Sequence, residues 1–147
     1  MENDKPATNK ASLRIHSDIL SAEQISEILK MQPDGFNVKG VKAAPDHPKS
    51  FVHPSHMWRL ESDADETEPL DRHISRLVDF IESRENDFKN LQPNCKFDMF
   101  CGYFANGWTG HLELAPELLK RLTIIPVKII IKLYEPSSKT FPIQYSG

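Results

Sequence analysis

Three histidines, His47, His53 and His56, and the carboxylate of Asp46 share a short run, Asp46-His47-Pro48 through His53-Pro54-Ser55-His56. Imidazole nitrogens suit zinc, and three protein ligands would leave one position for a water molecule. The spacing matches no compact ligand motif such as His-Glu-x-x-His, and the prolines restrict how the rings could converge. A metal site and a solvated loop with scattered histidines are both open at this point. Downstream, Glu61, Asp63, Asp65, Glu66, Glu68 and Asp71 follow one another with no basic residue between them. Glu68 and Asp71 suit the positive end of a helix that starts there. Asp63, Asp65 and Glu66 precede it, either as a solvated turn or as a patch for a basic protein partner, whose association complementary charge would speed. Trp108, in the run Phe104-Ala105-Asn106-Gly107-Trp108-Thr109-Gly110, is either an interface anchor or a cover for one end of the core.

Motifs for covalent or phosphoryl chemistry are missing. The chain has no Gly-x-Ser-x-Gly elbow and no Gly-rich phosphate loop. Cys101 lies in an alternating run beside Met99 and Tyr103, which fits packing better than nucleophilic attack. The expectation is a protein that is not an enzyme and needs no cofactor.

Positioning any such residues requires a core, and the chain is long enough to build one. Its 147 residues are 39% apolar and 27% charged, a globular composition for one domain. The net charge of −3 weighs against a nucleic-acid partner held by bulk positive charge. The longest apolar-rich run, Leu122 to Leu133, is short and broken by Lys128 and Lys132, so no membrane helix is expected. The polar stretch from Met1 to Lys10 lacks the apolar segment of a signal peptide. Two cysteines are too few for a disulfide framework, so reduced, buried thiols in a cytoplasmic protein are expected.

Periodicity then assigns the elements. Residues 1–11 are expected to be a flexible tail and 12–135 a single α+β domain, with 136–147 a tail or an edge strand. Leu13 and Ile15 alternate with polar neighbours as a strand. Ser21 and Gln24 have capping-box spacing ahead of Ile25, Ile28 and Leu29. Phe36 to Val41 and Met57 to Glu61 read as strands around a Pro-rich loop at 42–56. Thr67 is the expected N-cap of a helix whose apolar stripe is Leu70, Ile74, Leu77, Val78 and Ile81. From Phe97 the period becomes two, with Phe97, Met99, Cys101 and Tyr103 on one face. Asn106-Gly107 between this run and the alternation of Trp108, Gly110, Leu112 and Leu114 predicts a tight hairpin. A helix with Leu118, Leu119 and Leu122 and a strand from Val127 to Tyr134 complete the order β-α-β-β-α-β-β-α-β. A mainly antiparallel sheet with helices on one face is the expected architecture.

Several landmarks in order resemble a bacterial family known as domain of unknown function 4279. They are Lys39-Gly40, the strand Trp58-Arg59-Leu60-Glu61-Ser62, the Leu70-Asp71 helix start, the Leu118-Leu119 helix and the strand ending at Tyr134. The resemblance spans about residues 12–135 and implies a small α+β domain, with no activity or site residue to carry over. The expected function is a non-catalytic protein-binding module, in its sharpest form an immunity protein that neutralises a toxin, with Asp63, Asp65, Glu66 and Trp108 as contact residues. The alternative is a metal-binding protein or metal-dependent enzyme using His47, His53 and His56. Expected partners are a basic protein or toxin domain, with no nucleic acid and no membrane.

Overall fold

The computed structural model describes residues 7–107 and 110–135. Five strands form one sheet: β1 (Thr8–Ser17), β2 (Gly35–Asn37), β3 (His56–Glu61), β4 (Lys96–Phe104) and β5 (Val127–Tyr134). Their order across the sheet is β2-β3-β1-β4-β5. All neighbours are antiparallel except β4 and β5, which are parallel. The helices are α1 (Ala22–Leu29), α2 (Leu70–Ser83), α3 (Glu85–Leu91) and α4 (Pro116–Arg121). The first four strands follow the β-α-β-β-α-β connectivity of ferredoxin-like units, and α4 carries the chain across to one further strand. The α+β class with a mainly antiparallel sheet is as the periodicity implies.

The core lies between the helices and one face of the sheet. Leu13, Ile15, Trp58, Phe97, Met99 and Cys101 point to that side, where Ile25, Leu29, Ile74, Leu77 and Ile81 meet them. The α2 stripe is buried throughout, and each fully buried Leu or Ile contributes about 1.5–3 kcal/mol over its exposed state. The Ser21–Gln24 capping box is formed at α1. The α2 start differs from expectation: Pro69 holds the N-cap position without a side-chain bond. Thr67 instead donates its N–H and hydroxyl to the Asp65 carboxylate, so it closes a loop turn rather than the helix.

Three further expectations are corrected. The first strand begins at Thr8, inside the segment read as tail, because its N-terminal half pairs with the far end of β4. β2 stops at Asn37, short of Val41. The hairpin after Asn106-Gly107 does not form among the described residues, where Gly110 to Ala115 has no regular structure. The reason is tertiary: β4 already has β1 on one edge and β5 on the other, so no edge is free for a returning strand. Leu112 and Leu114 still pack on the core, which explains their alternation without a strand.

Candidate functional site

The acidic segment leaves the C-terminal end of β3 and is fixed by its backbone. The Asn9 N–H donates to the Glu66 carbonyl at 2.8 Å and its side-chain amide donates to the Glu68 carbonyl at 3.0 Å. Asp63 takes a left-handed φ of 63°, a conformation that short Asp and Asn side chains tolerate. Beside it lies Asp34, whose carboxylate accepts the Glu61 N–H at 2.7 Å while its own N–H donates to the Arg59 carbonyl. This pair of bonds closes the β2–β3 ladder and brings a carboxylate from the α1–β2 turn to the acidic loop.

A cavity of about 540 Å³ opens there between β3, α2 and the end of α1. Met31, Leu60, Leu77 and Phe80 supply its apolar wall, while Asp34, Asp63 and Asp79 carry negative charge against Arg76, the one cation of the lining among the described residues; Glu61 borders the cavity but turns its carboxylate toward Arg59 on the other face of the sheet. Arg59 holds Glu61, and Arg121 holds Asp79. Asp34 and Asp63 are in no ion pair among the described residues, so the two unpaired carboxylates outnumber Arg76 and leave the groove negative. Chemically this is an anionic groove with an apolar floor, which fits Lys or Arg side chains laid along hydrophobic surface.

Of the contact residues expected from sequence, only Asp63 lines this groove. Asp65 is occupied by Thr67: hydrogen bonds from the Thr67 side chain and then its backbone hold the carboxyl below its ordinary value, outweighing desolvation. Glu66 is exposed on the loop, and Trp108 lies outside the described residues.

The histidines of the 42–56 loop are distributed along a projecting arm. Backbone bonds between Gly40 and His53, His53 and Val41, and Ala43 and Phe51 zip the arm beyond β2 and β3. His47 Nδ1 accepts the Lys49 N–H and His56 Nδ1 accepts the Lys39 N–H, each at 3.2 Å, while the His53 ring meets the edge of Phe51. His47, His53 and His56 are not gathered as ligands. Among the described residues no three His, Cys, Asp or Glu side chains group to hold a metal. The arm also exposes Val38, Val41, Phe51 and Val52, and Phe36 beside it.

Two polar clusters escape sequence reasoning. Ser62 Oγ lies 2.6 Å from His73 Nδ1, and both residues are buried. The available signal was position: His73 sits three residues after Leu70 and four before Leu77, inside the apolar stripe. On the opposite face of the sheet, Arg14 donates Nε and Nη2 to the Asp98 carboxylate at 2.7 and 3.1 Å, and His16 Nε2 approaches it at 2.9 Å. Burial pushes the Asp98 pKa up, but the His16 and Arg14 hydrogen bonds and charges together overcome that and hold it low.

Fold and groove together define a small α+β domain with a ferredoxin-like strand order, one helical layer and an acidic cleft at the end of β3. The chain belongs to the family described as a domain of unknown function (DUF4279), whose sequence profile matches residues 6–136. No curated protein and no solved structure matches the chain. Among the described residues, no helix is long and apolar enough to cross a membrane.

Proposed function

We propose that this chain is a non-catalytic, cytoplasmic protein-binding module whose partner is basic at its contact surface, in its sharpest form an immunity protein that neutralises a toxin. The observation that carries this reading is the acidic groove, where Asp34, Asp63 and Asp79 border an apolar floor formed by Met31, Leu60 and Phe80. Apolar area supplies affinity, and a net negative field steers an oppositely charged partner and rejects like-charged ones. The exposed apolar side chains of the arm add a second contact surface of the same class. Two free, buried thiols suit a reducing compartment.

The test is kinetic. A partner captured from the native cell should associate more slowly as salt rises, because the Debye length shrinks from about 10 Å at 0.1 M to about 3 Å at 1 M. Asp63→Asn, which keeps the left-handed turn, and Asp34→Asn should each lower the on-rate several-fold. Glu66→Gln, outside the groove, should change it little. Salt-independent association with equal rates for all three variants would remove the groove from the interface.

A further inference from the structure

We propose that the face of the sheet opposite the helices binds single-stranded nucleic acid, with Lys10 and Lys132 flanking a glycine floor at Gly102 and the stacked rings of Phe104 and Tyr134 receiving a base. The face opposite the helices holds a groove of about 440 Å³ lined, among the described residues, by β1, β3, β4 and β5 alone. In register, Lys10, Gly102 and Lys132 form one cross-strand row, and Thr8, Phe104 and Tyr134 form the next.

The aromatic arrangement is the first argument. Phe104 and Tyr134 stack with centroids 4.3 Å apart and planes within 5°. Both rings lie over Gly102, where a Cβ would come within 3.1 Å of Phe104 and 3.5 Å of Tyr134. Glycine thus lets the rings lean onto the sheet, and they remain half-buried with surface left to meet solvent. A base continues such a stack at little geometric cost, because every base offers a flat π-face.

Charge is the second. Lys132 Nζ sits 5.2 Å from the Tyr134 centroid and Lys10 Nζ 6.0 Å from that of Phe104. The Arg14 guanidinium lies 4.6 Å above Phe100 on the same face. Lys96 and Lys128 join this face by register, opposite His16 and Asp98. Its carboxylates, Asp98 and Glu61, are already paired with Arg14 and Arg59. The lysines have no carboxylate partner among the described residues, so the face is cationic although the whole chain carries −3. Net charge averages over this asymmetry; a polyanion would meet only the local field. Cations interleaved with flat rings favour a polyanion that carries bases over an acidic peptide, which would use the charge and leave the rings idle.

The experiment is fluorescence anisotropy of the full chain with labelled ten-nucleotide oligo(U) and oligo(dT), and with a poly-glutamate peptide of equal charge. Oligonucleotide binding that weakens about 20-fold between 50 and 200 mM salt is expected if about three phosphates are contacted. Lys10→Gln combined with Lys132→Gln should flatten that dependence. Phe104→Leu and Tyr134→Leu should each weaken binding about tenfold, whereas Tyr134→Phe, which keeps the ring, should restore it. Thermal midpoints of all variants separate lost binding from lost folding. No binding of either oligonucleotide, poly-glutamate bound as tightly as oligo(U), or affinity unchanged in folded ring variants would each overturn the proposal. The first outcome leaves the acidic groove and its protein partner untouched.

Discussion

The Ser62 hydroxyl and His73 Nδ1 are 2.6 Å apart in the interior, joining the first residue after β3 to the buried stripe of α2. Ser62 Oγ also receives the Ala64 N–H at 3.4 Å, and the Ser62 N–H donates to the Ala11 carbonyl. One side chain from the helix therefore anchors the start of the acidic loop against the sheet. The shape of the groove depends on a histidine that never reaches its surface.

That dependence makes stability sensitive to mild acid. Burial pushes the His73 pKa below its ordinary 6.5, with the Asp65 and Glu68 carbonyls and the Glu68 charge opposing and the Arg76 charge adding to the fall. Between the unfolded and folded values the unfolded chain takes up the proton first, so acidification favours unfolding. The thermal midpoint should fall as pH drops below about 6.5, the ordinary histidine value. His73→Leu should flatten that part of the profile. Parallel profiles for the two proteins would show that His73 does not drive the pH dependence.

A second acid-sensitive element acts in a different window. Asp98 is held low by His16 and Arg14 against the cost of burial, so its contribution is present above the ordinary carboxylate value of 3.8 and lost as pH falls through its lower folded value. Asp98→Asn removes the charge and leaves Arg14 without its carboxylate. A loss of about 2 kcal/mol in a denaturant titration is expected, from the strength of hydrogen bonds to charged groups. A loss below about 0.5 kcal/mol would mean that the cluster is surface decoration.

Glycine positions separate the turn that exists from the one expected at Asn106-Gly107. Gly40 has φ +86°, whereas Gly107 has no left-handed φ and an added Cβ would meet nothing within 4 Å. Gly40→Ala should therefore cost about 1–2 kcal/mol from the left-handed backbone alone. Gly107→Ala should change stability by less than about 0.5 kcal/mol. Equal costs measured in denaturant would restore a tight turn at Gly107.

What the sequence disclosed follows the range of the interactions involved. The Ser21–Gln24 box, the α2 stripe and the two faces of β4 depend on residues within a few positions, and local periodicity displays them. Whether a hairpin follows Asn106-Gly107, where none forms among the described residues, depends on which strands occupy the edges of β4, a fact settled by β1 and β5 far along the chain. The groove is half legible: Asp63 belongs to the acidic run, but Asp34 and Asp79 join it only through the β2–β3 ladder and the packing of α2. Composition hides the cationic sheet face entirely, because β-sheet register, not neighbourhood in sequence, aligns Lys10 with Lys132.

Thiol accessibility offers a direct test of that sheet order. Cys101 lies inside β4 between Ala11 of β1 and Ile131 of β5. Burial, and then the Asp98 charge, push its pKa up to about 12. Burial also raises Cys95, against a hydrogen bond to Ser17. Because the thiolate is the reactive form, neither cysteine should react with a disulfide reagent at pH 8 in the native protein, and both should react at once in denaturant. Native labelling of Cys101 should then track opening of the sheet, so Asp98→Asn should accelerate it by destabilising the fold and by removing a charge that suppresses the thiolate. Rapid native labelling of Cys101 in the unmodified chain would mean that β5 is not docked on β4. The row joining Lys10 to Lys132 through Gly102 would then not exist.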